Sequence, residues 1–335
     1  MAVISIAMPA YNAEKYISYA IESVIKQTFE DWELIIVDDA STDSTPNIIE
    51  EYAKRDSRIR VYTEKENSGS ARLPRLKAIS MMNSKWMTYL DADDYLEPAY
   101  LEKMLSIANR DKADIVLSKM VIISDEGKTA YTIPKEGYDT TQVLSGKEAC
   151  SRTIGEWQIG GNGLTSLLLL YRKAITDCNS KFINSDEIDT RKLFYCANKV
   201  ALSDVRYYYR HNAESITKHL SVKTLGNMDT AEELLLFVKN EFGKDSLEYK
   251  KQANVFIETL RGCTIDFYRL YFKLGYNQKI EIIDNIKRKF SHVLKLRDIA
   301  DANSLTKFLF MTHYHLFLFS CLLMRLKSFF NVKSI

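Results

Sequence analysis

The sequence lacks paired cysteines and an excess of either charge. Its five cysteines are scattered without a CxxC pair, which argues against a disulfide framework and a zinc site. We therefore expect reduced, cytosolic thiols. Lysine and arginine number 46 against 44 aspartates and glutamates, a formal net charge of +2. This near balance gives no global attraction to nucleic acid, and we expect no nucleic-acid partner.

Two further absences narrow the class of protein. There is no GxGxxG and no Walker lysine motif, so the dinucleotide-binding and P-loop interpretations lose their main support. Residues 3–8 are already apolar, and no basic leader with a long apolar core precedes them, which predicts no secretory signal. The catalytic part should therefore face the cytoplasm.

The first part of the chain has the pattern of an α/β fold. Up to about residue 122, short apolar runs rich in β-branched residues alternate with longer amphipathic stretches, which is typical of βαβ units around a mostly parallel, Rossmann-like sheet. Residues 20–25 predict a helix after the first strand. Thr45 and Pro46 predict the cap and first residue of the next helix. The predicted strands are residues 3–8, 33–37, 58–62, 86–90 and 115–123, followed by a hairpin or loop region at 124–146.

The pattern changes near residue 220. Beyond it, long amphipathic helices are predicted, with one apolar stripe through residues 231–238 and another through residues 255–274. We therefore predict a catalytic domain over residues 1–220 and an α-helical C-terminal region over residues 221–335.

Residues 308–324 are almost wholly apolar or aromatic and carry no formal charge, and Arg325, Lys327 and Lys333 follow them. The run is short for a spanning helix, which needs about twenty apolar residues. We expect an in-plane helix at a membrane surface, with a basic flank. The alternative is a buried C-terminal helix that docks on the domain.

Three carboxylates follow the apolar run at residues 86–90, in the tetrad Asp91, Ala92, Asp93 and Asp94. Along an extended strand Asp91 and Asp93 would point the same way and could share one cation. Mg²⁺ and Mn²⁺ take oxygen ligands, usually one or two carboxylates together with substrate phosphates. The alternative is an acidic turn, in which aspartate accepts local backbone hydrogen bonds.

Polar residues also follow the other predicted strands. Ligands of open α/β sheets gather at the carboxyl ends of the strands, so these residues should meet at one edge. Tyr11 could stack on a nucleobase, and Asp39 could accept its ring N–H. Arg72 or Arg75 supplies a positive charge for phosphate. The four polar segments are residues 9–12, 38–43, 67–72 and 91–94.

These segments together resemble the family 2 glycosyltransferases with a GT-A fold, over roughly the first 220 residues. The resemblance implies a nucleotide-sugar donor, and it favours uridine as the base. It implies Mn²⁺ or Mg²⁺ held through the DxD element, and inverting transfer to a hydroxyl of a glycan or lipid-linked acceptor in cell-surface polysaccharide synthesis. With the C-terminal helix, it implies a peripheral location at the inner face of the cytoplasmic membrane.

The resemblance also assigns residues to the donor and the metal. Asp93 and His211 are the expected metal ligands, with a structural hydrogen bond as the alternative role of His211. Asp91 should face the ribose or sugar, and Asp94 is expected to be structural or a sugar contact. Arg75 is preferred to Arg72 because it keeps the family spacing to the tetrad, although the Asn that usually follows is Leu76 here. The expected donor-binding residues are Pro9, Tyr11, Asn12, Asp39, Asn67, Arg75, Asp91, Ala92 and Asp93.

Residues 184–190 resemble the Glu-Asp motif of the family, whose Asp is the general base. Aligning the following helix makes Asp186 the expected base, with Ser185 where the family has Glu. Glu187 is the alternative, because the substitution at Ser185 allows a register shift. An acceptor hydroxyl must lose its proton as it attacks, so a carboxylate must lie within reach of it. Without the resemblance, the acids would be read as helix capping and dipole compensation.

Two other segments match less specific parts of the family. Residues 207–211 resemble a Tyr-Arg motif before a loop that closes over the diphosphate. Trp157 lies where related enzymes form part of the acceptor surface, and a core tryptophan is an equal interpretation.

A nucleotidyltransferase is the alternative enzyme. A catalytically inactive, membrane-attached scaffold is the other alternative, and the residues at Ser185 and Leu76 keep it open.

Overall fold

The computed structural model divides the chain into two compact units. The first comprises Met1–Asn179 and Asp189–Ala213, and the second comprises Ser180–Ile188 and Glu214–Ile335. The structure describes residues 2–124, 128–134, 139–155, 158–159, 166–169, 185–210, 220–296, 314–315, 317–319 and 321–322.

The first unit is built on one mixed sheet. In the described part of the chain it has ten strands, in the order β3-β2-β1-β4-β9-β6-β10-β5, with β7 beside β6 and β8 beside β10. The pairs β1–β2, β1–β4, β2–β3 and β6–β10 are parallel. The strands are β1 Ile4–Ala10, β2 Trp32–Asp38, β3 Ile59–Thr63, β4 Trp86–Tyr89, β5 Tyr95–Leu96, β6 Ile115–Ile123, β7 Thr129–Ile133, β8 Val143–Ser145, β9 Leu167–Leu169 and β10 Lys199–Arg210.

Some helices pack on this sheet within the first unit, and others build the second unit. The described helices are α1 Ile17–Ile25, α2 Thr45–Arg55, α3 Arg72–Met81, α4 Tyr100–Asp111, α5 Gly146–Ser151, α6 Ser185–Cys196, α7 Asn227–Phe242, α8 Leu247–Leu270 and α9 Tyr276–Leu296. Short 3₁₀ turns occupy Lys223–Gly226 and Tyr271–Lys273. This order of elements confirms the predicted α/β class with C-terminal helices.

The sheet forms where apolar runs can be buried on both faces. Every residue of β1 is buried, and the side chains of Ile4, Ile6 and Met8 lie in the same core cluster as those of Ile17 and Ile21 on α1. Parallel strands that are covered on both faces have continuous apolar sequences, so they could be predicted from the sequence. The five predicted strands are confirmed to within two residues at each end. The predicted helix at residues 20–25 is α1, and the predicted hairpin is the antiparallel pair β6–β7.

The predicted cap of α2 is wrong. The helix begins at Thr45 rather than after it, with proline in its first turn as expected. The Thr45 hydroxyl is fully buried and accepts a hydrogen bond from the Ala13 N–H at 2.8 Å. The Thr45 N–H instead donates to Asp43 Oδ1 at 2.9 Å. A tertiary contact therefore uses the hydroxyl, and the preceding acid supplies the local bond.

The second unit packs the predicted apolar stripes inward. Ala231, Leu234, Leu235 and Val238 on α7 are all buried, as predicted. No helix among the described residues is long and apolar enough to cross a membrane.

Only part of the apolar segment at 308–324 is described. There, Phe317 is buried with its ring centroid 5.0 Å from that of Phe290, and Cys321 is buried with Sγ 4.0 Å from the Arg261 carbonyl oxygen. His315 and Phe319 are exposed. The described residues thus pack one face of this segment against α8 and α9, as the alternative interpretation expected. Its contact with a membrane stays a prediction.

A buried lysine joins α9 to α7. Lys289 is fully buried, and its Nζ lies 2.8 Å from Asp229 Oδ1 and also contacts Glu232 Oε2. Asn285 Nδ2 donates to Asp229 Oδ1 at 3.2 Å. A buried charge is tolerated only when it is paired and hydrogen-bonded, so this cluster fixes how the two helices pack.

We predict that Lys289→Ala destabilises the protein by about 3–5 kcal/mol, because Asp229 and Glu232 then lose the cation that neutralises them. Denaturant unfolding followed by far-UV circular dichroism measures this. The control is Lys287→Ala, an exposed lysine on the same helix, for which we expect a change within about 0.5 kcal/mol. Equal effects of the two substitutions would contradict a structural role for the buried cluster.

Candidate functional site

The polar segments after β1, β2 and β4 meet at one edge of the sheet. Strand β1 pairs in parallel with β2 on one side and with β4 on the other. The carboxyl ends of three neighbouring strands therefore lie side by side, which is where open α/β sheets bind ligands. The expected convergence of residues 9–12, 38–43 and 91–94 follows from this register.

Two left-handed residues shape the loops after β1 and β2. Asn12 has φ of 46° and Ala40 has φ of 57°. The Asn12 N–H donates to Ser41 Oγ at 2.9 Å, and Asn12 Oδ1 accepts from the Thr42 N–H at 2.8 Å. A left-handed alanine costs roughly 1–2 kcal/mol. The hydrogen bonds between the two loops hold these residues in conformations that the chain would otherwise avoid.

The adjacent acids Asp38 and Asp39 have different surroundings. Asp38 is fully buried, and its carboxylate accepts from the Ser41 N–H and hydroxyl at 3.3 and 2.5 Å. Asp39 Oδ1 accepts from the Ser68 N–H at 3.0 Å, and its Oδ2 accepts from the Ser68 hydroxyl at 2.9 Å. The Asn67 side-chain amide donates to the Asp39 carbonyl oxygen at 3.2 Å. Asp38 thus supports the loop, while Asp39 and Asn67 come together as predicted.

Other expected donor residues line the same edge. Pro9 is buried within β1, and the Asp39 N–H donates to the carbonyl oxygen of Ala10 at 2.8 Å. The Tyr11 ring is 42% exposed, so its face is accessible to a ligand. Ser68 was missed by the sequence interpretation, although its place directly after Asn67 in a polar segment was the available signal.

The acidic tetrad forms a turn, and the extended geometry predicted for Asp91 and Asp93 is wrong. Strand β4 ends at Tyr89, and the Asp94 N–H donates to the Asp91 carbonyl oxygen at 3.0 Å. This bond from the fourth residue back to the first closes a β-turn, a structure in which aspartate is common. The acidic-turn alternative is therefore the local structure. It does not remove the site, because the turn lies at the same sheet edge.

Arg75 lies against the acidic turn. Its Nη2 donates to Asp91 Oδ1 at 2.7 Å and to Asp91 Oδ2 at 2.9 Å, and both side chains are partly buried. Arg72 lies one turn earlier on α3, with Nε 3.9 Å from Asp189 Oδ2. Of the two arginines considered for the diphosphate, Arg75 is the one at the tetrad. In this structure its guanidinium engages a carboxylate of the tetrad.

Asp94 fastens the turn to strand β10. It is almost fully buried, and its carboxylate accepts from the Tyr207 hydroxyl at 2.7 Å and from the Arg210 N–H at 2.8 Å. The Tyr207 oxygen also accepts from the Asp91 N–H at 3.2 Å, and Arg210 Nε donates to the Asp93 carbonyl oxygen at 3.2 Å. Burial, followed by the charges of Asp93 and Asp91, raises the pKa of Asp94 well above its ordinary value. These contacts give Asp94 the structural place expected for it.

The donor set at the turn fits a hard divalent cation. No group of three or more His, Cys, Asp or Glu side chains in the described ranges is arranged to hold a metal alone. Mg²⁺ and Mn²⁺ need only one or two carboxylates when substrate phosphates complete the shell. Burial, and after it the negative charges of Asp93 and Asp91, raises the pKa of Asp94, and a bound cation would offset those charges. Asp93, which is partly buried at the turn, is the residue that would supply a carboxylate oxygen ligand, and Ala92 beside it is buried.

Asp186 and Glu187 lie in the first turn of helix α6, where Asp186 is half-buried and Glu187 exposed. Acids here compensate the helix dipole, so position alone does not assign catalysis. Both residues belong to the second unit, and their role stays a prediction. His211 and Trp157 lie outside the described residues.

An acidic turn beside a polar edge of a mostly parallel sheet flanked by helices is the arrangement expected of a GT-A-type glycosyltransferase. The model of glycosyl transferase family 2 matches residues 5–172, and the chain belongs to that family. It is therefore an enzyme of the glycosyltransferase class.

Individual proteins agree with this assignment. The chain is 27% identical over 313 residues to the poly(ribitol-phosphate) beta-N-acetylglucosaminyltransferase TarP of Staphylococcus aureus, covering 88% of this chain and 90% of TarP. Its fold resembles residues 1–349 of S. aureus TarS in complex with UDP, with a TM-score of 0.64 at 18% identity, covering 99% of this chain and 92% of that TarS chain. It also resembles the mannosyltransferase PcManGT from Pyrobaculum calidifontis in complex with GDP-Man and Mn²⁺, with a TM-score of 0.50 at 13% identity over 97% and 87% of the two chains.

We predict that Tyr207→Phe destabilises the first unit by about 1–3 kcal/mol, because the buried Asp94 carboxylate and the Asp91 N–H both lose a partner. Thermal unfolding measures the loss. Tyr208→Phe is the matched control, since Tyr208 faces the other side of β10, its ring stacks on Tyr95 at 4.5 Å, and its hydroxyl bonds to the exposed Arg206 rather than to the turn. If the two variants unfold at the same temperature, the turn does not depend on the Tyr207 hydroxyl.

Proposed function

We propose that the protein is an inverting glycosyltransferase that moves a sugar from a UDP-sugar to a hydroxyl of a glycan or lipid-linked acceptor in cell-surface polysaccharide synthesis. The observation that carries this proposal is the meeting of Asp39, Asn67 and the acidic turn at one sheet edge in a chain of family 2. The relatives support the donor and acceptor classes, because TarP is named for transfer of N-acetylglucosamine to poly(ribitol-phosphate), and TarS was solved with UDP.

The nucleoside would lie over the ends of β1 and β2. The exposed Tyr11 ring offers a face for stacking on the base. Asp39 is held in place by Ser68, so its carboxylate can accept the N–H of the base without reordering. Pro9, Asn12 and Asn67 complete this wall of the site.

The diphosphate would lie at the acidic turn. Asp93, with help from Asp91, would hold Mn²⁺ or Mg²⁺, and His211 is the expected third ligand. When bound, the cation supplies charge neutralisation for the departing nucleotide diphosphate. Arg75 fixes the orientation of Asp91 through two short hydrogen bonds, which positions that carboxylate for the ribose or the sugar. Asp94 keeps the turn in register with β10.

Asp186 would act as the general base. It would take the proton of the acceptor hydroxyl as the oxygen attacks the anomeric carbon, while the bond from that carbon to the diphosphate breaks. A single displacement inverts the anomeric configuration and needs no covalent enzyme intermediate. Glu187 is the alternative base.

The acceptor class implies a place for the enzyme. We propose that it works peripherally at the cytoplasmic face of the membrane, where a lipid-linked glycan would be presented. The apolar character of residues 308–324 supports this placement, although Phe317 and Cys321 within it are buried.

The donor and metal assignments are tested by thermal shift. With UDP and Mn²⁺ at about 100 times the dissociation constant, the wild type should gain about 2.7 kcal/mol and melt several degrees higher. Asp93→Asn should lose the manganese-dependent part of this shift. Glu66→Gln, the same charge change at an exposed acid, is the control and should keep it. A full manganese response in Asp93→Asn would overturn the role of Asp93.

The base assignment is tested by transfer kinetics. Asp186→Asn should lower kcat by about 10²–10⁴ and leave the UDP and Mn²⁺ thermal shift unchanged, because the base acts on the acceptor. Glu187→Gln is the paired variant, and the reverse result would move the base to Glu187. Release of UDP with an inverted anomeric centre, seen by NMR, supports transfer of the sugar. Release of pyrophosphate would indicate the nucleotidyltransferase, and no turnover in the wild type with any UDP-sugar would favour the inactive scaffold.

A further inference from the structure

The second unit carries an exposed apolar surface at the start of helix α9. Phe272 in the preceding 3₁₀ turn is 84% exposed, and Tyr276 at the first residue of the helix is 78% exposed. Ile280 and Ile283 continue this surface and are also exposed. We call these four residues the α9 apolar face.

The α9 apolar face is separate from the side of the helix that packs in the core. Residues 276, 280 and 283 are spaced by four and three, so they share one side of the helix. Ile286, Phe290 and Val293 point into the unit and are buried. The helix therefore has two apolar sides, one used for packing and one that faces solvent. Contiguous exposed apolar surface on a folded protein marks an interaction site more often than a scattered single residue does.

The charges around the face are mostly positive. From Tyr271 to Leu296 the chain has six basic residues and two acidic ones, and of the basic residues Lys289 is buried. Lys287 lies four residues after Ile283, on the same side of the helix, and Lys273 follows Phe272 directly. Lys279 Nζ lies 4.4 Å from the centroid of the Tyr271 ring, beside Phe272. Exposed aromatic rings with lysines beside them are complementary to a surface that offers an apolar layer to the rings and anionic groups to the lysines.

We propose that the α9 apolar face docks on a bilayer containing anionic phospholipid. Phe272, Tyr276 and Ile280 would enter the boundary between headgroups and acyl chains, as the apolar side of an in-plane helix does. Lys273, Lys279 and Lys287 would remain among the phosphates, and each basic residue near such a surface strengthens binding. This contact differs from the one expected of residues 308–324 and needs no assumption about the reaction.

Vesicle sedimentation of the full chain tests the proposal. Wild type should bind vesicles of phosphatidylglycerol and phosphatidylcholine more tightly than phosphatidylcholine alone, and added salt should weaken binding. Phe272→Ser combined with Tyr276→Ser should lower the partition coefficient on mixed vesicles at least tenfold. Leu236→Ser combined with Leu247→Ser removes two exposed apolar residues elsewhere in the unit and should leave binding within twofold. Lys273→Gln with Lys287→Gln should remove most of the preference for anionic vesicles.

Several results would overturn the proposal. These are unchanged binding in the Phe272 and Tyr276 variant, equal loss in the Leu236 and Leu247 control, or no vesicle binding by the wild type. Self-association of the wild type that the first variant abolishes, without vesicle binding, would assign the face to a second copy of the chain. Far-UV circular dichroism and thermal unfolding of each variant confirm folding, and the UDP and Mn²⁺ thermal shift is measured on the wild type. If wild type binds vesicles but shows no such shift, the proposed function fails while the docking proposal stands.

Discussion

The hydrogen bond from the Tyr207 hydroxyl to Asp94 is the interaction on which the candidate site depends. It joins the acidic turn after β4 to a strand more than a hundred residues later, and the Arg210 N–H reinforces it on the other carboxylate oxygen. Burying this carboxylate beside two other acids is unfavourable, as the raised pKa of Asp94 records. The buried Asp94 carboxylate provides a fixed geometry in return, because its hydrogen bonds hold the turn that carries Asp91 and Asp93 against the sheet. Asp91 and Asp93, which would contact the donor, are thus positioned by Asp94, which would not.

After β2, too, one acid supports the loop while the neighbouring acid is placed to meet a ligand. Asp38 is buried and supports the loop through Ser41, whereas its neighbour Asp39 is held by Ser68. The loops also contain left-handed Asn12 and Ala40, and hydrogen bonds between the two loops hold Asn12 in this conformation. A sheet buried on both faces supplies the rigid base for this strained edge. Stability comes from the apolar strands, and the polar ends of those strands are free to be shaped for a ligand.

How far the sequence predicted this structure depended on the range of each interaction. The strands were found because their apolar runs are local. Asp39 and Asn67 were placed at one edge because strand ends share it, and Arg75 was chosen by its family spacing to the tetrad. The turn at the tetrad was given only as the alternative, because strand alternation was extended past Tyr89, where the Asp94 N–H closes the chain back on Asp91. The pairing of Tyr207 with Asp94 could not be predicted, since no local pattern links residues so far apart. Thr45 failed as a cap for a related reason, because its hydroxyl is used by a distant N–H.

In the second unit, hydropathy and exposure indicate different segments as the membrane contact. The most apolar run, residues 308–324, suggested the membrane contact, yet its described residues Phe317 and Cys321 are buried. The first half of α9 is less apolar overall, yet Tyr276 at its start and Phe272 in the turn before it face solvent. Periodicity identifies an apolar side of a helix but cannot say whether another helix already covers it. Only the packing shows that Phe290 is covered while Tyr276 is not, and a binding surface must be sought among apolar residues that packing has left exposed.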